Sequence, residues 1–341
     1  MKRIKIAQIG VMHDHARDTI RALKMMTDIF ELVGYASPDA DDYDKALYDG
    51  VKKMTAEEIL SLPDLDAVVI ETKEEYLTKY ALLAAQRGIH IHLDKPGGFE
   101  EDEFDRLIDL VKEKNLVLSM GYMYRFNPNI KKALEIVKSG KIGKVYAVEG
   151  QMSCHLPKEK RQWLNSLPGG MMFYLGCHLT DLVLQFRGSM PDEVVPFNAP
   201  IGHEGTTSCD YSMAVYTYDG VASFVKTTML ECGGFLRRNL VVCGTKGTIE
   251  ISPMEYHPVL NQRELASDMY VTYEDLQLKM RVDAKGEREQ SIPYDRYEEM
   301  LTKFKETITG ERENTYDLEY ERKLYKLILA SCGKIKYKGE N

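Results

Sequence analysis

Apolar and polar residues alternate from Ile4 to Ile9 as they do in a half-buried strand, Gly10 interrupts, and Asp14 to Met26 follows a helical period. The same grammar then repeats. Phe30 to Ala36 predicts a second strand, followed by an aspartate-rich loop at 37–44. Thr55-Ala56-Glu57-Glu58 is a capping box, in which threonine and glutamate three apart satisfy each other's backbone N–H groups and open a short helix. Leu65 to Ile70 reads as a buried strand, and Glu74 to Arg87 as a helix stopped by Gly88. Strand Ile89 to Leu93, helix Glu101 to Lys114 and strand Leu116 to Met120 complete the series. Strands separated by helices of this length need crossovers that return over a sheet face. Residues 1–121 therefore predict an N-terminal Rossmann-type, doubly wound parallel sheet.

Past Gly121 the pattern changes. Pro128 to Lys138 predicts a helix, Lys144 to Ser153 a long strand, and Gly169-Gly170 precedes a helix running to about Phe186. Ser212 to Thr217, Ala222 to Met229, Leu240 to Val242 and Gly247 to Ile251 predict strands joined by short turns. Short connections imply antiparallel pairing. Two amphipathic helices, Tyr294 to Thr309 and Leu318 to Ser331, close the chain. Residues 122–341 thus predict a C-terminal α+β domain on a broad, mainly antiparallel sheet, and the fold class is α/β.

Charge and composition remove several classes of function. The 341 residues carry 45 basic and 53 acidic side chains, a net charge of −8, with no basic block for a nucleic acid to track. No apolar run is long enough to span a bilayer, and residues 1–10 pass straight into strand alternation without a leader pattern. The six cysteines are scattered without a C-x-x-C pair, which predicts reduced thiols and a cytoplasmic location.

Three stretches carry candidate chemistry. Asp94-Lys95-Pro96 ends a buried strand at the carboxyl edge, where open α/β sheets bind ligands, and Pro96 cannot continue the strand. After the first strand a dinucleotide fold places G-x-G-x-x-G, yet Gly10-Val11-Met12-His13-Asp14-His15 keeps only the first glycine. The helix N-terminus still offers N–H groups, and His13 or His15 can donate to phosphate. Met12 adds bulk and Asp14 negative charge, and the other reading makes Asp14 an N-cap and the histidines a surface turn. Ser37-Pro38-Asp39 ends the second strand ahead of Asp41, Asp42 and Asp44. With no arginine present to meet a 2′-phosphate, NAD is favoured over NADP. On the later helix Tyr174, His178 and Asp181 fall four and three apart, so all three share a face and can carry protons. A helical His-x-x-Asp is also a common structural pair.

Asp94-Lys95-Pro96, Gly169-Gly170 leading to Gly176-x-His178-x-x-Asp181, and Gly244-Thr245-Lys246-Gly247-Thr248 together resemble the glucose-fructose oxidoreductase, inositol dehydrogenase and MocA family. Arg125-Phe126-Asn127-Pro128 and Gly140-Lys141-Ile142-Gly143-Lys144-Val145 extend the resemblance over the whole chain. It implies a nicotinamide-dependent oxidoreductase acting on a secondary hydroxyl or ketone of a sugar, cyclitol or related polyol. Lys95 would polarise the reacting oxygen, His178 act as acid/base and Asp181 support it. Tyr174 stands where the family has an aspartate, as donor to the substrate oxygen or proton relay. The implied cofactor residues are Gly10, Met12, His13, His15, Ser37, Thr72, Asp94, Lys95 and Pro96, for NAD or, second, NADP. The implied substrate residues are Tyr122, Tyr124, Arg125, Asn127, His155 and Trp163.

Two other readings stay open. One is transient, cofactor-assisted oxidation with no net redox, permitting elimination or epimerisation. The other is a binding or regulatory protein that kept the fold and lost hydride transfer. No metal site is expected, because His13, His15, Cys154, His155, Cys177 and His178 lack standard ligand spacing. The family resemblance further implies a homodimer or homotetramer paired through the C-terminal sheet.

Overall fold

The early alternation becomes a parallel sheet in the computed structural model, which describes residues 3–259, 262–279 and 285–339. The chain divides into two units, Met1–Met123 with Tyr297–Tyr325, and Tyr124–Arg296 with Lys326–Asn341. In the first, strands β1 (Ile4–Ile9), β2 (Phe30–Ala36), β3 (Ala67–Ile70), β4 (His90–Leu93) and β5 (Leu118–Met120) pair in the order β2-β1-β3-β4-β5. Every pair is parallel. Helices α1 (Ala16–Met25), α2 (Ala56–Leu60), α3 (Leu77–Gln86) and α4 (Glu101–Glu113) supply the crossovers. The central strands read as unbroken apolar runs because both sheet faces are covered; all four residues of β3 are buried. The capping box at Thr55 and Glu58 forms as expected and opens α2.

The second unit is built on an eight-stranded sheet. Its elements begin with α5 (Pro128–Lys138), β6 (Val145–Gln151), α6 (Lys158–Trp163) and α7 (Cys177–Arg187). They continue through β7 (Glu193–Ala199), β8 (Tyr211–Tyr218), β9 (Val221–Thr228), β10 (Asn239–Gly244), β11 (Gly247–Ile251), β12 (Asp268–Tyr273), α8 (Glu274–Lys279) and β13 (Arg288–Gln290). The strand order is β13-β12-β11-β10-β6-β9-β8-β7. It is antiparallel throughout except for β6 against β9, which run parallel. Gly170 has φ +55°, and a Cβ there would lie 2.4 Å from the carbonyl oxygen of Cys209, so glycine admits a passing backbone ahead of α7.

Several elements differ from the sequence reading for identifiable reasons. Helix α1 begins at Ala16, and His15 rather than Asp14 holds the N-cap position, with no side-chain cap. Helix α9 (Glu298–Ile308) starts four residues after Tyr294, because Tyr294 is engaged in a backbone bridge to Leu265. Tyr297–Tyr325, which includes α9 and the first half of α10 (Leu318–Ser331), groups with the first unit. There Phe304 packs on His92 and Tyr325 stacks on Phe104, which buries apolar faces of helices that their place in the chain had assigned to the C-terminal domain. Strands β7, β12 and β13 lacked a clear alternation in sequence.

Candidate active site

Three loops leave the carboxyl ends of β1, β3 and β4 and meet in the first unit. Gly10 has φ +101°, and a Cβ there would lie 2.2 Å from the backbone nitrogen of Thr72, so this glycine lets the first loop touch the third strand's exit. The contact continues where the His13 N–H donates to the Glu71 carbonyl at 3.1 Å. His13 Nε2 lies 3.2 Å from the Lys95 carbonyl. Its Nδ1 lies 3.2 Å from an Asp94 carboxylate oxygen, and His15 Nδ1 lies 2.9 Å from the same atom. Thr19 Oγ1 donates to Glu71 Oε1 at 2.7 Å, while Glu71 Oε2 sits 3.7 Å from His13 Nδ1. Lys95, Asp94, Glu71 and His13 are all buried.

Burial and mutual charge set the protonation of this group. Burial, then the charge of Asp94, holds Glu71 well above the usual carboxylate range. Burial opposes ionisation of Asp94, yet the neighbouring histidines hold it well below that range. Burial likewise opposes a charge on His13, but Asp94 outweighs it and raises the pKa. At His15 burial wins and the pKa falls to about 4. One step back along β4, His92 is fully buried and its pKa is also pushed down by burial to about 4. Glu71 is the residue that sequence reading missed here. Its only signal was a carboxylate placed directly after an all-apolar strand.

The remaining cofactor candidates spread along the same edge. Met12 is 39% exposed on the first loop, Ser37 is half-buried after β2, and Thr72 is buried with its hydroxyl on the Lys73 carbonyl at 3.0 Å. Pro96 is buried after Lys95. His13 and His15 are not a surface turn; both point at Asp94. Of the four loop aspartates, 41, 42 and 44 are exposed, whereas Asp39 is drawn inward. Its Oδ2 accepts the Lys73 N–H at 2.9 Å, and its buried Oδ1 has no hydrogen-bond partner.

In the second unit the expected residues separate into two groups. The first is a set of closed networks. Asp181 takes Arg125 through two bonds of 2.9 Å and also accepts from Gln185 Nε2 at 2.9 Å, so it is chiefly a partner of Arg125. Asn127 caps α5 by accepting from the N–H groups of Asn129 and Ile130, and donates to the Met254 carbonyl and the Tyr294 hydroxyl. Tyr124 donates to Glu255, which also receives Arg238 at 2.9 Å and Arg296. Sequence offered no sign of Glu255. Arg125, Asn127 and Tyr124 were expected to line a substrate pocket, and these bonds hold their polar atoms within the protein. The Tyr124 ring meets the buried His178 edge-on, with centroids 5.1 Å apart.

The second group is half-open. Residues Met172–Gly176 form a π-helical turn ahead of α7, which advances Tyr174 relative to His178 and breaks the shared α-helical face expected from their spacing. Tyr174 packs edge-on against Trp163 at 5.3 Å, and Lys160 Nζ stands 3.6 Å above the indole. Trp163, Tyr174 and Lys160 are partly exposed and His155 is exposed. Tyr122 belongs to the first unit and is buried.

Comparison with known proteins adds to this geometry. Residues 4–122 match the model of the oxidoreductase family with NAD-binding Rossmann fold, and residues 130–250 match the GFO/IDH/MocA C-terminal domain. D-xylose 1-dehydrogenase (NADP(+)) 2 of Haloferax volcanii is 31% identical over 40% of this chain and 42% of its own length. The 2,7-anhydro-N-acetylneuraminate hydratase of Mediterraneibacter gnavus is 23% identical over 57% of this chain and 53% of its own. The chain thus spans about half the length of these curated relatives. The UDP-N-acetylglucosamine 3-dehydrogenase of Acidithiobacillus ferrooxidans shares the fold at TM-score 0.75 and 17% identity, with 98% of each chain covered. Among the described residues no helix is long and apolar enough to cross a membrane.

Proposed function

We propose, since this chain belongs to the Gfo/Idh/MocA oxidoreductase family, that it transfers hydride between NAD and a secondary hydroxyl or ketone of a sugar, cyclitol or related polyol. The observation that carries the reading is Lys95, an ammonium buried beside Asp94 at the carboxyl end of β4. That edge is where open α/β sheets bind their ligands, and a lysine side chain there can donate to a reacting oxygen. In this reading Lys95 Nζ donates to the reacting oxygen. His178 Nδ1 or Nε2 takes the hydroxyl proton in oxidation and returns it in reduction.

The residues present fit a dinucleotide. The loop Gly10 to His15 at the start of α1, with Ser37, Thr72, Asp94, Lys95 and Pro96, would hold it. When bound, the nicotinamide supplies the hydride acceptor or donor. Asp39 adds the sharpest fit, since a buried carboxylate oxygen without a donor suits a ribose hydroxyl and repels a 2′-phosphate. This favours NAD over NADP. The substrate would rest on the half-open platform of Trp163, Tyr174 and Lys160, whose ring faces accept sugar C–H groups and whose ammonium donates to a substrate oxygen, with His155 as a further contact.

The test is fluorescence titration with NADH and NADPH, followed by a polyol screen at the reduced nicotinamide absorbance. NADH is expected to bind more tightly, and Lys95→Met to lower kcat by about 1000-fold while NADH binding persists. Failure to bind either cofactor would end the proposal. The hydratase among the relatives favours a second reading, in which the same oxidation is transient and ends in elimination or hydration. Tightly held cofactor with product formation but no net nicotinamide change would select it. We also expect subunits to pair through the eight-stranded sheet, where Phe197 and Tyr146 are exposed; a monomer by light scattering would contradict this.

A further inference from the structure

The cluster at the carboxyl edge of β1, β3 and β4 contains more ligand chemistry than hydride transfer requires. We propose that His13 Nδ1, His15 Nδ1 and an Asp94 oxygen, with Glu71 Oε2 as fourth ligand, bind one divalent ion of the zinc, cobalt and nickel class. The donor atoms of His13, His15 and Asp94 lie within 4.8 Å of one another. The two separations to Asp94 are 3.2 and 2.9 Å. Ligands that share an ion at about 2.0–2.2 Å are themselves roughly 3–3.5 Å apart, so the side chains need little movement to close on a metal.

The hydrogen bonds around His13 give the ring a tautomer. Facing the Lys95 carbonyl at 3.2 Å, Nε2 must carry hydrogen. The His15 backbone N–H donates to Nδ1 at 3.3 Å, which identifies Nδ1 as the acceptor. A ring that gives one N–H to a carbonyl and turns its lone pair inward is the arrangement of a metal-ligating histidine. Here that lone pair faces carboxylate oxygens of Asp94 at 3.2 Å and Glu71 at 3.7 Å. Acceptor facing acceptor requires a positive centre between them.

Glu71 is an independent pointer. It is fully buried, Thr19 fixes its Oε1, and its Oε2 is aimed at His13 Nδ1 with no hydrogen-bond partner. The charges agree, because the carboxylates of Glu74 and Asp94 outnumber Lys95 within the cluster. Two imidazoles with carboxylates select borderline transition metals over calcium or magnesium, which take oxygen sets. His15, with 14% of its side chain exposed, offers the way in. A bound ion would tie the loop after β1 to the ends of β3 and β4. The competing occupant of the space is a proton on His13.

The full chain, stripped with a chelator and free of dinucleotide, is titrated with Zn2+ and then Co2+. One ion per chain by plasma mass spectrometry, a visible Co2+ d–d band, a higher melting temperature and proton release on binding are expected. His15→Ala removes the half-open ligand and should weaken Zn2+ by at least about 100-fold, with Glu71→Gln weakening it by about 10-fold. A chain that binds no Co2+ with a d–d band, or a His15→Ala variant that binds Zn2+ unchanged, overturns the proposal and leaves the proton in place. Should His15→Ala fail to fold, the Co2+ spectrum of the unaltered protein decides alone. Because no cofactor is added, failure here is distinct from failure of the dinucleotide reading.

Discussion

The two units each bury a cluster of charge, and the clusters are built on opposite terms. In the second unit Asp181 meets Arg125 through a two-bond fork, and Glu255 is held by Arg238, Arg296 and the Tyr124 hydroxyl. Every carboxylate there has a guanidinium. Burial opposes ionisation of Glu255, but the two arginines keep its pKa below the usual range. In the first unit the acidic side chains Glu71, Glu74 and Asp94 face two histidines and one lysine, and Glu71 escapes the repulsion by holding a proton. A closed network is finished as structure, whereas an open one leaves room for something else to bind. Sequence spacing had assigned chemistry to members of both clusters, and the difference in charge closure separates them.

The largest test breaks the closed cluster. Arg125→Ala would strand a fully buried Asp181 and should cost about 3–5 kcal/mol of stability, read as a lower urea midpoint. The matched change in the open cluster, Glu71→Gln, replaces a protonated carboxyl by an amide of the same shape and should cost under about 1 kcal/mol. Equal losses from the two would erase the distinction.

His92 tests the open edge by pH. Its folded pKa of about 4 lies below the ordinary 6.5, because burial disfavours its charged form and neither ring nitrogen has a hydrogen-bond partner. Between those values the unfolded chain binds a proton that the folded chain refuses. Stability from this residue is therefore complete above pH 6.5 and falls as pH drops, with the loss levelling off near pH 4 at about 3 kcal/mol. His92→Leu should flatten that limb and raise stability by about 2 kcal/mol near pH 5, measured with a chelator present. An unchanged acid limb in the variant would show that His92 is protonated in the fold.

What the sequence disclosed follows from the range of each interaction. The parallel sheet and the exit of β4 at Asp94 and Lys95 were legible, because periodicity, caps and the glycine stop at Gly88 act over a few residues. The pairing of buried charge was not. Arg125 and Asp181 lie 56 positions apart, and Tyr124 and Glu255 131 apart, so no local pattern announces either bond. The π-turn at Met172–Gly176 is also silent in sequence, since a shift from four- to five-residue backbone bonds needs no particular side chain. That turn is why Tyr174 joins Trp163. Asp94 was legible as a strand end, while its two histidine partners came from a loop read as damaged glycine sequence.

The smallest effect concerns the half-open platform, which is the second unit's counterpart to the open edge. Lys160 Nζ stands 3.6 Å over the Trp163 ring and 5.3 Å from the Tyr174 ring centroid. A partly exposed cation–π contact of this kind contributes about 0.5–1 kcal/mol, so Lys160→Met should leave the urea midpoint nearly unchanged. If the platform instead binds substrate, the ammonium is a hydrogen-bond donor poised for a hydroxyl or carboxylate, and its loss acts on binding. KM should then rise by about 3- to 10-fold with kcat within about 2-fold, the signature of a group that binds ground and transition states alike. A Lys160→Met variant that loses stability but keeps its KM would place this trio with the closed networks, as packing alone.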